Sequence, residues 1–371
     1  MQRAHLIRMY PNREQEVLLR KTAGTSRYAY NWALAKWKEM YEAYDKGESK
    51  EKPSAFKLSA IWTKERPDWS EDTATCPQHR AILNVGEAFK NLWKGHCKFP
   101  QFHKKGRKDS FYVDNTHAYI KDQRISLPKI GKVKLAESLR FTGKIMSYTV
   151  SHYADQWHVS VQVETEDSSI QLANPTSVVG IDVGLETPVV TSDNQRLEIP
   201  QSLHKLSWKL RKQQRIISRK QKGSNNQRKA LLRKQRIQNK INNIRKDITH
   251  KFTTNLAKNH GYVVTESLDA STMQTSNNKL IRKGMASSLM MEVIRQISYK
   301  AQHHIKVDKY FPSTKTCSCC GHTKDMPVNE RTYKCEHCGM ILDRDLNAAL
   351  NIKRQGMVSA GLPVDSTASC C

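Results

Sequence analysis

Cys317-Ser-Cys-Cys320-Gly321, then Cys335-Glu-His-Cys338-Gly339, then Asp343-Arg-Asp345-Leu-Asn347-Ala-Ala349 follow one another near the end of the chain. Two Cys-x-x-Cys pairs with fourteen residues between them have the ligand count and spacing of a structural zinc site, with Cys317, Cys320, Cys335 and Cys338 as ligands. A glycine after each pair lets the chain turn so that backbone N–H groups face the thiolates. Cys319 is read as unligated, and His322 and His337 as surface residues. A helix carrying acids opens directly after this knuckle, so a zinc site would fix the place of a carboxylate. Carboxylate oxygens are what a hard cation such as magnesium requires.

Upstream the pattern is strand-like. Ser177-Val-Val-Gly-Ile-Asp182 is an apolar run ending in an acid, Pro188-Val-Val-Thr-Ser192 returns, and Arg196-Leu-Glu-Ile199 suggests a third strand. Tyr262-Val-Val-Thr-Glu266 is another apolar strand ending in an acid. An amphipathic helix near Leu289–His303 and a strand Ile305–Lys309 lead to the knuckle. The order β-β-β-α-β-α-β, zinc, α matches an RNase H-like α/β nuclease core. There Asp182, Glu266 and Asp345 would converge on two divalent metals, because strand ends cluster at one edge of a sheet.

The charge says what such metals would act on. Lys plus Arg is 62 against 35 Asp plus Glu, a formal net charge of +27. That excess calls for a polyanion. No run of eighteen apolar residues exists, and the N-terminus reads neither as signal peptide nor as anchor, so no membrane partner is expected. Four of the nine cysteines form the knuckle and five are scattered, which suits a reducing cytosol rather than a disulfide framework. From His204 to Lys251 there are seventeen Lys or Arg and one acid, Asp247. Apolar residues at Leu203, Leu206, Leu210 and then Ile237, Ile241, Ile244, Ile248, Phe252 and Leu256 recur at helical spacing, and Gly223-Ser-Asn-Asn226 interrupts them. A basic helical hairpin over 203–258 follows, with phosphate as its counter-charge.

The first half reads less directly. Glu14–Tyr44 and Arg80–His96 are helical stretches, with Tyr28, Trp32 and Phe89 expected in the core. Lys104, Lys105, Arg107 and Lys108 face solvent and suit phosphate contact. Short alternating runs between Phe111 and Glu164 suggest a barrel.

Several of these pieces together resemble the TnpB (OrfB-type) proteins of insertion sequences, relatives of the type V CRISPR effectors. The matching residues are Gly180-Ile-Asp182-Val-Gly184, Ser218-Arg-Lys-Gln-Lys-Gly223, Arg245-Lys-Asp247, His250-Lys251, Thr265-Glu266-Ser-Leu, Tyr299-Lys-Ala301, Phe311-Pro-Ser-Thr-Lys-Thr-Cys317 and the whole Asp343–Ile352 run. Tyr10-Pro11, Gly24-Thr-Ser-Arg27 and Tyr30-Asn31-Trp-Ala-Leu34 extend the match to the N-terminus.

The resemblance implies a multidomain α+β protein. A RuvC-type core over 174–312 and 341–356 would carry an inserted zinc ribbon at 313–340. A wedge β-barrel over 1–10 and 106–173 would carry an inserted helical recognition lobe at 11–105, and 357–371 would be a disordered tail. It implies an RNA-guided DNA endonuclease of a mobile element with catalytic Asp182, Glu266 and Asp345 holding two Mg2+. The further ligands are structural Zn2+, a guide RNA derived from the transposon end and double-stranded target DNA. Asp343 competes for the third place, but residues two apart on a helix point about 200° apart, so only one can face the metals. The nucleic-acid contacts are expected at Arg27, Lys104, Lys105, Arg107, Arg211, Arg215, Arg219, Lys220, Lys229 and Arg245. The protein would act as a monomer or weak dimer in the bacterial cytoplasm, nucleoid-associated when bound to DNA. The alternatives are an RNA-guided repressor that binds without cutting and a transposase acting directly on transposon ends.

Overall fold

A computed structural model describes the chain apart from residues 1, 49, 107–108, 166–172, 185–186, 268–288, 328–329 and 364–371. It divides into two compact units, Met1–Ser168 and Ser169–Cys371. Among the described residues no helix is long and apolar enough to cross a membrane.

The first unit is a curled antiparallel sheet with helices inserted after its first strand. Strand β1 (Gln2–Tyr10) alternates, burying His5, Ile7 and Met9. Helix α1 (Arg13–Asp45) starts at a reciprocal cap between Asn12 and Gln15. Helix α2 (Ala55–Glu65) and a 3-10 turn (Asp68–Asp72) precede helix α3 (Thr75–Trp93). Strands β2 (Asp109–Asp114), β3 (Tyr119–Lys121), β4 (Arg124–Leu127), β5 (Gly131–Leu135), β6 (Lys144–Tyr153) and β7 (Gln156–Glu164) complete the sheet, in the order β2-β6-β7-β1-β5-β4-β3. Phe111 and Val113 at one end and Ile125 and Leu127 near the other share one core with Trp157 and Val161. The sheet therefore curls around that core. Its ladder runs from β2 to β3 without pairing them, so the expected barrel is an open one among the described residues.

The helices have their own core, in which Leu34 and Trp37 of α1, Leu58 and Trp62 of α2, and Ile82 and Phe89 of α3 interlock. Helix α2 lies where the sequence suggested no element, and α3 begins at Thr75 rather than Arg80. Phe89 is buried as expected, but Trp32 is only half-buried against the core, and Tyr28 is 43 % exposed and leans on Trp62 and Trp69.

The second unit is a four-stranded sheet ordered β11-β10-β8-β9. Strands β8 (Val178–Asp182), β10 (Tyr262–Glu266) and β11 (His303–Val307) run parallel, and β9 (Val190–Thr191) is antiparallel to β8. The expected third strand at Arg196–Ile199 is reduced to one bridge, Val190 to Arg196. Helices α4 (Gln201–Ser218) and α5 (Asn225–Asn259) form the hairpin, with Ser224 capping α5 through Gln227. Helix α6 (Met290–Lys300) packs on α5. Strands β12 (Thr332–Lys334) and β13 (Ile341–Asp343) belong to the knuckle, and helix α7 (Arg344–Ser359) closes the unit. It continues to Ser359, past the expected domain edge at 356; most of the expected tail, 364–371, lies outside the described residues.

Candidate active site

The parallel pairing of β8 with β10, Val264 opposite Gly180 and Thr265 opposite Ile181, brings both strands to the same edge of the sheet. Asp182 and Glu266 are the last residues of those strands. Helix α7 reaches that edge because two glycines let it lie flush on the strands. A Cβ on Gly180 would stand 2.1 Å from the Ala349 carbonyl oxygen, and one on Gly356 would stand 2.4 Å from Val264 Cγ1. Real Cβ contacts are never that short, so any larger residue would lift the helix.

Asp343 and Asp345 take different parts. Asp343 is the N-cap of α7, its Oδ1 accepting from the N–H groups of Asp345 and Leu346 at 3.1 Å each, and its Oδ2 lies 3.2 Å from Arg196. Asp345 occupies the first turn, half-buried. Its charge is felt at Asp182, whose carboxyl is pushed up to about 7 by burial and then by the charges of Glu266 and Asp345. Burial also raises Glu266, against the hydrogen bond that Ser313 Oγ donates to its Oε1. Burial and then Asp343 raise Asp345, and Arg331, Arg344 and Arg196 oppose the rise. Three carboxyls held above their ordinary range mark negative charge that Arg331, 3.9 Å from Asp345, and the other arginines only partly neutralise. Carboxylate oxygens are the donors a hard divalent cation takes, although these three do not all lie within 4.8 Å of one another in the structure, as the four thiols do.

The knuckle is local. Cys317 Sγ lies 3.7 Å from Cys338 Sγ, and Cys320 Sγ lies 3.6 Å from Cys335 Sγ. All four sulfurs fall within 4.8 Å of one another. Each half closes on itself: Gly321 N–H donates to Cys317 O and Gly339 N–H to Cys335 O. Both glycines have positive φ, +78° and +74°. The backbone N–H of Cys338 draws the Cys335 thiol down, while burial pushes Cys317 up. Four converging sulfurs fit tetrahedral zinc. Cys319 is half-buried against the knuckle core and outside the group of four.

The expected nucleic-acid contacts divide. Arg211, Arg215, Arg219 and Lys229 are exposed on the hairpin, and Lys104 and Lys105 are exposed in the first unit. Lys220 is half-buried. Arg245 is half-buried too, and burial lowers its pKa, so it belongs to the packing of α5 more than to its surface. Arg27 is held by Asp109 at 2.8 Å, so its charge is already matched within the unit. Arg107 lies outside the described residues. Sequence reasoning missed Ser313 and the buried pair Asn347 and Asn351. The signal for the pair was there: two amides four apart share one helix face.

Comparison with known proteins gives three family matches. Residues 158–277 match the OrfB_IS605 family, described as "Probable transposase". Residues 291–352 match the Cas12f1-like TNB domain, and residues 1–46 match a family described as a helix-turn-helix domain. In this chain those first residues are strand β1 and the whole of one long helix, α1. A protein of Escherichia coli (strain K12) named "Putative RNA-guided DNA endonuclease InsQ" is 31 % identical, over 97 % of this chain and 96 % of that one. A Streptomyces pristinaespiralis protein named "Putative RNA-guided DNA endonuclease" is 30 % identical, over 97 % and 90 %. Among solved structures, the chain in a Cas12f1–sgRNA–target DNA complex has a TM-score of 0.55 at 15 % identity, covering 95 % of this chain and 98 % of that one. That likeness is one of fold.

Proposed function

This chain belongs to the TnpB (OrfB-type) family, and from that premise we propose that it is an RNA-guided DNA endonuclease of a mobile element. A guide RNA made from the transposon end pairs with double-stranded target DNA; the protein holds the hybrid by its backbone and reads a short motif beside it. Residues 174–312 and 341–356 act as a RuvC-type, RNase H-like nuclease with 313–340 as its zinc ribbon. Residues 1–10 and 106–173 act as the wedge and 11–105 as the recognition lobe. The protein works as a monomer or weak dimer in the bacterial cytoplasm, on the nucleoid when bound.

One observation carries the catalytic reading: the parallel register of β8 and β10 ends both strands in an acid at one sheet edge, Asp182 and Glu266, and Asp345 in the first turn of α7 is near enough for its charge to act, after burial and Glu266, on Asp182. Two Mg2+ ions held there would supply the activated water and the stabilised leaving oxygen of phosphodiester cleavage. The chain does the rest. Asp182, Glu266 and Asp345 attract the cations more strongly for being half-buried. Asp343 caps the helix that carries Asp345 and sets its height. Cys317, Cys320, Cys335 and Cys338 would hold zinc, which would keep the knuckle folded. Arg211, Arg215, Arg219 and Lys229 match phosphates along the hairpin.

The family description "Probable transposase" favours a second reading, direct strand transfer at transposon ends by the same acids. The test is cleavage of plasmid DNA by the purified protein with and without its copurifying RNA, in Mg2+ and in EDTA. Guided, Mg2+-dependent cutting that follows a changed guide is the expected result. Cutting or strand transfer by RNA-free protein would install the transposase reading, and guided binding without cutting would make the protein a repressor.

A further inference from the structure

Glu266 does not stand alone at its strand end. Ser313 is buried, and its hydroxyl donates to Glu266 Oε1 at 2.5 Å. Ser313 lies in the short segment between β11 and the first thiol pair, and that segment is stitched to α7. Asn351 Nδ2 donates to Ser313 O at 2.8 Å and to Thr316 O at 2.6 Å. Asn347 Nδ2 donates to Thr316 O at 2.8 Å, and Asn347 Oδ1 accepts from Ser318 N–H at 2.9 Å. Both amides are buried, 0 % and 3 % exposed.

A buried amide is costly unless its donors and acceptor are matched. Here the matched partners are backbone groups of a turn, which would otherwise be orphans. A leucine at either place would cover the same area but fix nothing. The arrangement therefore selects position over burial.

Resting on the reading of Glu266 as a catalytic metal ligand, we infer that Ser313 is a positioning residue for Glu266, held in register by Asn347 and Asn351. One segment then serves three masters. It orients the Glu266 carboxylate, it docks on the helix that bears Asp345, and it runs directly into Cys317. The zinc knuckle thereby sets the geometry of a carboxylate that lies outside it.

The experiment uses the full chain with its guide RNA and compares Ser313→Ala, Ser313→Thr and Glu266→Ala. Cleavage is followed against Mg2+ concentration. Guided DNA binding, zinc content and Tm are measured on the same preparations, and Mn2+ binding to the protein is measured by calorimetry. Ser313→Ala should keep zinc, DNA binding and Tm. It should lose roughly 10- to 100-fold in cleavage rate, the scale of a misplacement of about 1 Å. It should also bind Mn2+ several-fold more weakly, with a matching shift in its Mg2+ requirement. Ser313→Thr, which keeps the hydroxyl, should recover most of both. Unchanged Mg2+ dependence and rate in Ser313→Ala would overturn the inference. So would a Ser313→Thr protein as defective as Ser313→Ala, which would make the site one of packing. Full cleavage by Glu266→Ala would instead sink the catalytic reading beneath it. Asn351→Leu with zinc retained should reproduce the Mg2+ shift although Ser313 is intact, and normal Mg2+ dependence there would remove the amides from the proposal.

Discussion

The thiol knuckle and the carboxylate cluster lie in one unit but are assembled in opposite ways. The knuckle gathers four ligands from residues 317–338, each half closed by its own backbone turn. The carboxylates come from two strand ends and a helix start, and Asp182 and Asp345 are 163 residues apart. The first site is made by local chain geometry, and zinc bound there as proposed would be part of folding. The second is made by the finished fold, which brings like charges together at a cost. A change in the knuckle should therefore be felt in stability, and a change in the carboxylates in chemistry.

The sharpest way to break that contrast is to remove the acids. Asp182→Ala, Glu266→Ala and Asp345→Ala should each lower cleavage by on the order of a thousandfold or more, beyond the roughly 10- to 100-fold that loss of an outer partner costs. Guided DNA binding should survive, and metal-free Tm should not fall, because like-charge repulsion is relieved. Asp343→Ala should do the reverse. It should lose about 1 kcal/mol of stability with the cap while cleavage persists. Cleavage that survives Asp345→Ala and dies with Asp343→Ala would exchange their roles.

Next in size is the knuckle. Elemental analysis should find one zinc per chain, and Cys335→Ser should lose it together with Tm and activity. The destabilisation should be several kcal/mol, a part of the roughly 10–16 kcal/mol that structural zinc supplies to small domains. Cys319→Ser should leave the zinc content unchanged. Active protein without zinc would end this account.

A smaller effect separates the hairpin from both metal sites. Replacing Arg211, Arg215, Arg219 and Lys220 by Gln should weaken binding for every guide alike. Each phosphate left without its cation should flatten the slope of log K against log salt by about 0.7 to 0.9. Because Lys220 is half-buried, the three exposed arginines carry the firmer expectation. An unchanged slope would mean the face is only solvated.

The smallest effect compares the units by pH. His5, His79 and His152 in the first unit are held below 6.5 by burial. The unfolded chain takes up those protons first, so stability falls as pH drops below about 6.5. His250, His260 and His304 act likewise in the second unit. There, however, Asp182 is pushed up to about 7, chiefly by burial, so the folded state takes its proton first and gains stability over this range; Glu266 and Asp345 are raised in the same direction. Hydrogen exchange on metal-free protein should show the first unit loosening more than the second between about pH 7 and 5.5. Equal loosening would deny the opposition.

The contrast also explains what could be read beforehand. The knuckle, the acid-headed helix and the basic hairpin are written in local spacing, and each strand-end acid is legible from an apolar run that stops at it. The helical period said only that one of Asp343 and Asp345 could face the metals; the family resemblance ranked Asp345 first. What escaped depends on partners far along the chain. The positive charge of Arg27 gave no hint of Asp109, and nothing in Arg245 told of its burial. Tyr28 looked like core because aromatics near a helix usually are, but α2 and the turn after it leave its ring at the rim. Arg196–Ile199 alternates like a strand, yet the ladder there stops at a single bridge. Ser313 stands in the motif that leads into Cys317, but its acceptor is 47 residues upstream.

The flush seating of α7 has a mechanical consequence. The helix touches the sheet at Ala349 and Lys353 over Gly180, and again at Gly356 over Val264. Asp345 lies four residues before the first support, an overhang of about 6 Å at 1.5 Å per residue. It is the overhanging end of a short cantilever, held beyond the sheet by the knuckle through Thr332 opposite Asp343 and Arg331 O on the Arg344 N–H, so a tilt at the supports is magnified at its tip. A methyl group at Gly356 would act as a shim under the far end. The carboxylate would move although nothing near it had changed, and the tie from Asn347 to the knuckle is what braces the helix on that side.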